Sequence, residues 1–378
     1  MEILTGIGSV AINYIVPFLF VLTIVVFFHE LGHFLVARWC GVGVKVFSVG
    51  FGPELFGRYD RHGTRWRLSA VPLGGYVRFD GDDSAASTPD QEALENMSAE
   101  EMNRAFHGKS VWRRAAIVAA GPIANFILAI VIFAMTFAIV GRPMTSPIVD
   151  QVVAGSAAET AGFQSGDVVR EIDGVKIESF SDIQRIVSVN ADVALKVTVD
   201  RGGQMVNLVA TPKLSEQKDR FGNVFRVGLL GISRRTTAES IVVERMSPPQ
   251  ALWAGTAETW FVLKRTLVYV GNVITGREAA DQLGGPIRVA QVSGQLATLG
   301  FGALLNLAAI LSVSIGLLNL FPVPLLDGGH LVFYAIEGIR GRPLSDRAQD
   351  IGFKIGFALV VMLMVFVTWN DIVRLTQL

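Results

Sequence analysis

The sequence predicts a polytopic α-helical membrane protein with about four transmembrane helices, a β-hairpin region and one inserted β-rich domain. Hydrophobic residues make up 51% of the 378 residues and charged residues only 17%, whereas roughly 25% of a typical soluble domain is charged. The mean hydropathy is +0.46. The apolar residues are also gathered into blocks, which is typical of a chain that crosses a membrane several times.

The four apolar blocks lie at about 10–36, 115–140, 304–326 and 355–369. The first block is long enough to cross about 30 Å of hydrocarbon. It is unlike a cleaved signal peptide, because no basic region precedes it and His29 and Glu30 lie in its second half. We therefore expect four transmembrane helices.

The charge balance excludes several classes of protein. Thirty-three basic and thirty-three acidic residues give a formal net charge of zero, which excludes nucleic-acid binding through bulk positive charge and a disordered polyanion. The single cysteine, Cys40, excludes an intramolecular disulfide and any multi-cysteine metal site within the chain.

Basic residues predict the orientation in the membrane. The first nine residues contain no Lys or Arg, whereas the segments between spans one and two and between spans three and four are rich in both. Because basic loops remain in the cytoplasm, we expect these two segments to be cytoplasmic. The N-terminus, the region 141–303 and the C-terminal tail are then expected outside.

Three regions outside the spans have patterns of their own. Residues 42–80 alternate apolar and polar positions between turn glycines, which predicts β-hairpins; 81–110 is polar and acidic, which predicts a loop with a short helix. Residues 146–232 are β-rich, with a hairpin across Gly202 and Gly203, and 248–300 are helical.

The predicted organisation has six parts. They are a first transmembrane helix in 1–41, a cytoplasmic β-hairpin region and loop in 42–112, a second transmembrane helix in 113–141, the β-rich domain in 142–235, a helical periplasmic or interfacial segment in 236–303, and the third and fourth transmembrane helices in 304–378.

The segment His29-Glu30-Leu31-Gly32-His33 has the spacing of a zinc site. On a helix, two histidines four residues apart share one face and can bind one metal ion. Glu30 lies beside them, where it can accept a proton from water. The alternative, two buried histidines that satisfy each other, is disfavoured because such polar clusters are costly inside an apolar span unless they have a use.

Catalytic zinc sites use three protein ligands, and Asp327 is the best candidate for the third. It lies at the end of the third apolar block, so both it and the histidine pair fall toward the cytoplasmic ends of their spans. Pro322 and Pro324 break the helix before it, and Gly328 and Gly329 permit close backbone approach. Two further histidines are rivals: His62 lies in a polar hairpin, and we expect the glycines to turn His330 away.

Three separated motifs resemble the site-2 protease family of intramembrane zinc metalloproteases. They are HELGH in the first block, GPIAN (121–125) in the second and NLFPVPLLDGG (319–329) in the third. The segment 155–174 looks like part of a PDZ domain, an arrangement similar to the bacterial regulator of sigma-E protease branch. Many members of that branch carry two PDZ domains in tandem, whereas this sequence has room for one.

The resemblance implies one zinc ion per chain, bound by His29, His33 and Asp327, with Glu30 as the catalytic base. It also implies that 42–80 forms a membrane-associated β-structure that receives substrate near Gly74 and Gly75. Further candidate substrate contacts are Asn125, Asn319, Pro322 and Pro324. For the two asparagines, helix packing is an equal alternative.

The PDZ-like domain has two alternative roles in this interpretation. A stretch of five residues is the candidate loop for a peptide C-terminus, or else the end of a buried strand: Gly228, Leu229, Leu230, Gly231 and Ile232. Alternatively, the domain excludes substrates that still carry bulky outer domains, so that an earlier cut by a site-1-type protease must come first.

We therefore expect an intramembrane zinc metalloendopeptidase in the inner membrane of a bacterium. Its expected partners are the lipid bilayer and single-span substrates, such as a pre-cleaved anti-sigma factor or remnant signal peptides, in a stress response; nucleic acid is not expected. The rival hypotheses are a metal transporter, since His and Asp in spans also mark ion paths, and a PDZ scaffold without proteolysis.

Overall fold

The computed structural model describes residues 11–82, 96–218, 224–234, 242–277, 280 and 283–376. Part of the loop expected at 81–110, residues 83–95, therefore lies outside the described residues. The chain divides into two compact units, which are described separately. The first contains Met1–Thr136, Leu252–Thr266 and Gly276–Leu378, and the second contains Phe137–Ala251 and Leu267–Thr275.

The described elements follow one another in a fixed chain order. The helices are α1 (Val16–Trp39), α2 (Ala99–Arg104), α3 (Val111–Ile139), α4 (Ala157–Ala161), α5 (Phe180–Ser188), α6 (Pro248–Ile274), α7 (Pro286–Ala297), α8 (Phe301–Asn319), α9 (Asp327–Arg340) and α10 (Asp346–Leu375), and a π-helical segment, Ala11–Ile15, leads into α1. The strands are β1 (Val44–Tyr59), β2 (Arg65–Phe79), β3 (Arg142–Met144), β4 (Gln151–Val152), β5 (Val168–Ile172), β6 (Val175–Lys176), β7 (Leu195–Arg201), β8 (Gln204–Ala210), β9 (Lys213–Lys218), β10 (Val224–Leu229), β11 (Ile232–Ser233) and β12 (Val242–Glu244).

Four of the described helical segments are long and apolar enough to cross a membrane, as the four blocks predict. They are Ile12–Trp39, Val111–Ile139, Phe301–Asn319 and Arg347–Leu375. The third ends earlier than the apolar block at 304–326 suggests. Pro322 and Pro324 cannot continue a helix, so α8 ends at Asn319 and the chain turns before α9. Asp327 therefore begins a new helix instead of ending the third span.

β1 and β2 form the antiparallel hairpin expected in 42–80. Their register brings both halves of β2 against the first half of β1, because Val46–Val49 faces residues 75–78 and also 65–68. β1 bends after this segment, where Gly50 and Gly52 have φ values of +90° and +84° that other residues rarely adopt. Phe47 is fully buried between this sheet and α1, and it stacks on Trp66 with ring centroids 4.2 Å apart.

The helical segment expected in 248–300 contains α6 and α7. The amino end of α7 is capped from a distant part of the chain, because Asp371 of α10 accepts hydrogen bonds from the backbone N–H groups of Gly285 and Arg288, both at 3.0 Å. A carboxylate at this position also interacts favourably with the helix dipole. The cap attaches the carboxyl end of α10 to α7.

The second unit contains a four-stranded antiparallel sheet in the order β6-β5-β7-β8. The hairpin predicted across Gly202 and Gly203 is the β7–β8 connection. Helix α5 begins with a capping box made by Ser179 and Asp182, and its apolar face covers the sheet around Ile183. The first and last of the described strands in this unit, β3 and β12, pair with each other.

Candidate metal centre

The two histidines of α1 lie on one face of the helix, one turn apart. Their Nε2 atoms are 3.2 Å from each other, and both side chains are 12% exposed. α3 packs closely over this face because Gly32, between the histidines, has no side chain: a Cβ atom there would lie 2.3 Å from the Ala120 carbonyl oxygen. The helix therefore presents two imidazoles side by side to α3.

Asp327 reaches the same point from the first turn of α9. Its Oδ2 atom is 3.2 Å from His29 Nε2 and 3.6 Å from His33 Nε2. Two glycines after it allow this position, because a Cβ atom on Gly328 or Gly329 would lie 2.3 Å from a backbone carbonyl oxygen of the preceding turn. Farther along, Glu337 of α9 pairs with Arg114 of α3 at 2.6 Å and secures the helix.

The geometry of this cluster fits zinc. In a tetrahedral site with ligand bonds of 2.0–2.1 Å, neighbouring ligand atoms are separated by about 3.3 Å, close to the separations among His29, His33 and Asp327. The Asp327 Oδ2 atom is buried without a hydrogen-bond partner, and buried carboxylate oxygens rarely remain unpaired. Among the described residues, these three form the only group of ligand side chains close enough to hold a metal ion.

The outer nitrogens of both rings have partners on α3. His33 Nδ1 lies 2.9 Å from the carbonyl oxygen of Ile117. Because a carbonyl only accepts, Nδ1 carries a proton, and the neutral imidazole therefore has its lone pair on Nε2. His29 Nδ1 lies 3.2 Å from the Asn125 side-chain amide, whose Oδ1 atom is buried without a partner. With the amide rotated by 180°, Oδ1 accepts from Nδ1–H, which a metal-binding Nε2 requires.

Gly121 makes room for the cluster. A Cβ atom at this position would lie 2.2 Å from His33 Nε2 and 2.9 Å from His29 Cε1. Gly121 and Asn125 are one turn apart on α3, so the same face of that helix faces both imidazoles. The contacts with Gly121 and Ile117 are not evident from the sequence, although the GPIAN motif marks the segment.

Glu30 lies between the histidines and the hairpin. The backbone N–H of Val77 donates a hydrogen bond to its carboxylate, and a Cβ atom on Gly75 would lie 3.1 Å from its Cγ atom. Since Val77 also pairs with Phe47 through the register of the sheet, the strand at 75–79 presents its other edge to Glu30. The base candidate and this strand edge thus border the same space.

Charges near the cluster suit metal binding. Burial raises the pKa of Asp327, but the His33 and His29 imidazoles outweigh this and hold it below its ordinary value, so the side chain is a carboxylate at neutral pH. Burial lowers the pKa of His330, although the Asp327 carboxylate opposes the shift. His330 is therefore neutral, and it packs against Phe353 with ring centroids 5.5 Å apart. It is not one of the clustered ligands.

A cavity of about 540 Å³ extends from the cluster to an exposed charged pair on α10. That pair is Asp350 and Lys354, which are 2.7 Å apart with side chains 59% and 75% exposed. The cavity thus connects the buried cluster with polar surface. Its lining also includes Glu30, the strand residues Gly75, Tyr76 and Val77, and aromatic residues of α9 and α10.

Only some of the other candidate substrate contacts lie at the cavity. Gly75 lines the cavity, whereas Gly74, Asn319, Pro322 and Pro324 are outside its lining. A Cβ atom on Gly74 would lie 2.3 Å from the Phe51 ring, and Pro324 contacts α10 near Gly352 and Gly356. Asn125 contacts His29 and is fully buried, so its place in the structure is beside the metal centre.

The five-residue loop of the second unit has several internal contacts. A Cβ atom on Gly228 would lie 2.4 Å from the Val187 carbonyl oxygen, and Leu229 ends β10. Leu230 is buried, and its carbonyl oxygen accepts from Ala158 N at 2.7 Å. The carbonyl oxygen of Gly231 accepts from Val153 N at 2.8 Å, and Ile232 pairs with Val152. Peptide binding here stays a prediction.

Comparison with known proteins gives consistent matches over most of the chain. Residues 17–363 match the model of peptidase family M50. The chain is 54% identical over 360 residues to a protein of Agrobacterium fabrum provisionally named as a zinc metalloprotease, covering 95% of this chain and 96% of that protein. It is 53% identical to a similarly named protein of Rhizobium meliloti, covering 96% and 97%. It is 42% identical to the metalloprotease MmpA of Caulobacter vibrioides, covering 95% of each.

Proposed function

The chain belongs to peptidase family M50 and is a zinc metalloprotease, and on that premise we propose that it hydrolyses peptide bonds within or near transmembrane segments of other membrane proteins. The position of the metal centre supports this proposal most directly. His29 and His33 lie inside a segment that is long and apolar enough to span a membrane, Ile12–Trp39. His33 is six residues, or about 9 Å along the helix, from its end.

In this proposal His29, His33 and Asp327 hold one zinc ion. Zinc in a three-ligand site makes water more acidic and polarises a carbonyl group. Ile117 and Asn125 fix the orientation of the two imidazoles, which maintains the ligand geometry. The cluster thus keeps its arrangement while substrate enters and leaves.

Glu30 acts as the general base in the proposed reaction. Its carboxylate borders the cavity beside the three ligands, where it takes a proton from the attacking water and later delivers it to the leaving amine. The Val77 N–H holds the carboxylate in position. The apolar surroundings of the site limit water to the cavity, whose exposed end at Asp350 and Lys354 supplies it.

The strand at 75–79 is proposed to receive the substrate. A transmembrane helix has no free backbone groups and must unwind before it can be cut. Residues Gly75 to Val77 line the cavity, and their strand edge faces Glu30, so an unwound segment can pair with them by β-addition. Such pairing brings a substrate peptide bond beside the base and the three ligands.

The β-rich unit is proposed to be a single PDZ-like domain that selects substrates, either by binding a peptide end near Gly228–Ile232 or by excluding bulky outer domains. With the basic loops inside, this domain lies in the periplasm, the metal centre lies toward the cytoplasm, and the protein resides in the bacterial inner membrane. Substrates are then single-span proteins first cut by a site-1-type protease, including an anti-sigma factor or remnant signal peptides, in a stress response.

The deciding experiment is reconstitution of the full chain with a single-span substrate in liposomes. Zinc-loaded wild type should cut within the span, and a chelator should stop the reaction. Glu30→Gln should lower the rate by about 10²–10⁴-fold, since general base catalysis contributes that much, while it keeps the zinc content of wild type. Cleavage at the wild-type rate by Glu30→Gln would refute the assigned role, and zinc flux across the liposome without cleavage would favour a transporter.

A further inference from the structure

The cavity beside the metal centre has one wall that the proposed mechanism leaves unexplained. Besides the ligands, Glu30, Gly75–Val77, Val118, His330 and the charged pair on α10, its lining is a mainly aromatic set of side chains. They come from the end of β2, the loop after α2, the loop before α9, and helices α9 and α10. We define this set as the aromatic wall: Phe79, Phe106, Leu325, Tyr334, Phe353 and Phe357.

α10 brings its part of the wall to the metal centre through two glycines. A Cβ atom on Gly356 would lie 3.1 Å from Leu325 N, and one on Gly352 would lie 3.1 Å from the Phe333 ring. This close approach sets α10 against the segment that leads into Asp327. Phe353 and Phe357 follow on the neighbouring face, four residues apart, and line the cavity.

Phe353 has a fixed place in the wall. Its ring packs against His330 at 5.5 Å and against Phe333 at 5.8 Å between centroids. Phe79 and Phe106 stack on each other with ring centroids 5.0 Å apart and are almost completely buried. Tyr334 is held by the Arg114 guanidinium, 4.9 Å from its ring. The wall is therefore a preformed apolar surface.

The volume exceeds what a water molecule requires. About 540 Å³ falls in the range of pockets that hold organic ligands, roughly 300–1,000 Å³. The cavity is continuous with the three ligands and Glu30, so a peptide bond placed beside the base puts the side chain of an adjoining residue against the aromatic wall. Apart from Glu30 and Asp327, the charged residues of the lining are Asp350 and Lys354, and these two lie at the exposed end of the cavity.

From this geometry we propose that the aromatic wall is a specificity subsite for one bulky apolar side chain next to the scissile bond, with Phe353 setting its size. The inference rests on the proposed function. An aromatic or branched aliphatic side chain fills the space and buries apolar area, whereas a charged one loses its hydration without a partner. The subsite thus selects the cut position along a substrate span in which many bonds are chemically equivalent.

The test uses the reconstituted full chain and a set of single-span substrates that differ at the residues flanking the wild-type cut. Each position carries Ala, Leu, Phe, Trp or Asp in turn, and mass spectrometry identifies the products. For wild type, one flanking position should favour Leu or Phe over Ala and Asp by about tenfold or more, the scale of discrimination by an apolar pocket. Equal rates for the whole series at both positions would overturn the proposal.

The enzyme variants test the assignment to Phe353. Phe353→Ala should move the preference at that position toward Trp, and Phe353→Trp should move it toward Ala. Phe366→Ala is the matched control, because Phe366 lies on the same helix outside the cavity lining and is 41% exposed; its preferences should match wild type. An unchanged preference in both active Phe353 variants would contradict the proposal.

The two proposals fail in different ways. If zinc-loaded wild type cuts no substrate, the proposed function fails. If wild type cuts but shows no size preference, only the subsite fails. Should either Phe353 variant lose its zinc or its fold, the wild-type substrate series still decides, since it needs no change to the enzyme.

Discussion

Gly121 shows how a single missing side chain can determine a metal site. The position faces both imidazoles across the contact between α1 and α3, and the space that a methyl group would fill is occupied by His33. The backbone of α3 has little room to move away from α1, because α8 packs against it: a Cβ atom on Gly316 would lie 3.1 Å from the Pro122 carbonyl oxygen. A side chain at Gly121 must therefore displace a ligand.

We expect Gly121→Ala to reduce zinc binding strongly, by about the 10- to 100-fold that loss of ligand orientation costs. Metal content and zinc affinity of the purified protein measure this effect directly. Gly302→Ala in α8 is the matched control, because no atom lies within 4 Å of a Cβ there, and it should bind zinc as wild type does. Equal zinc affinity in the two variants would contradict the packing argument.

Asn125 has a testable role distinct from helix packing. Asn125→Ala removes the partner of His29 Nδ1, so we expect zinc affinity to fall about 10- to 100-fold. Asn125→Asp keeps an oxygen acceptor at this place and should retain more affinity than the alanine variant.

Ser312→Ala separates the two interpretations of Asn125. The Ser312 hydroxyl donates to the Asn125 backbone carbonyl at 2.8 Å, so its loss disturbs helix packing without removing the contact to His29. Zinc affinity in this variant should stay near wild type. If Ser312→Ala and Asn125→Ala weaken zinc binding equally, packing explains the effect.

At the residue scale, the sequence predicts what lies within one helix turn. The spacing of His29 and His33 is enough to place them on one face, because an α-helix has a fixed pitch. The contacts of Gly121, Ile117 and Asn125 depend on the rotation of α3 against α1. That rotation comes from packing of small residues across the interface, and one segment's pattern does not determine it.

At the element scale, helix α10 depends on two small residues for its place. Only 11% of the most apolar 18-residue stretch of α10 is buried. Its contact with the segment before Asp327 is made at Gly352 and Gly356. Its other end is attached through the Asp371 cap on α7. A helix with so little buried surface is sensitive to the quality of each contact.

We expect Gly356→Val to destabilise the protein by about 1–3 kcal/mol, as overpacking does, because the added atoms would meet Leu325 N and Pro324. The midpoint of thermal unfolding in detergent measures this. Gly338→Val on α9 serves as control, since the nearest atom to a Cβ there is 3.9 Å away. A larger loss in the control than in Gly356→Val would contradict the assigned contact.

The third apolar block shows where element prediction from hydropathy fails. Residues 304–326 are apolar almost throughout, which suggests one continuous helix. Pro322 and Pro324, however, lack the backbone N–H groups that a helix needs. The helix therefore ends at Asn319. The pairing of Val46–Val49 with both halves of β2 was likewise beyond prediction, since alternation predicts strands and turns but not which strands become neighbours.

At the scale of the whole molecule, the β-rich unit has an acid-sensitive ion pair. The Asp167 side chain is fully buried, and Arg201 contacts both of its carboxylate oxygens at 2.7 and 2.9 Å. Burial raises the pKa of Asp167, but Arg201 and the Gln164 N–H outweigh it and lower the pKa below the ordinary 3.8. A lowered folded-state pKa contributes stability above the ordinary value, and this contribution disappears as the pH falls through the folded-state pKa.

We expect Asp167→Asn to destabilise the β-rich unit at pH 7 by about 1–3 kcal/mol, the cost of hydrogen bonds lost at a buried group, because Arg201 is 29% exposed and solvent screens its charge. The difference from wild type should stay constant down to about pH 5 and shrink below about pH 4. Hydrogen exchange of β7 amides in the full chain, corrected for intrinsic rates, measures it. A difference that grows as the pH falls would contradict the sign of this argument.

The pairing of β3 with β12 has a consequence for how such chains change in evolution. The segment that leaves α3 and the segment that returns toward α6 pair with each other, so the stretch between them begins and ends at neighbouring points. Domain insertion is tolerated where the two chain ends lie close together. During evolution, the residues between the two strands can therefore be replaced, duplicated or deleted as one segment. The helices that carry the zinc ligands keep their order in the chain.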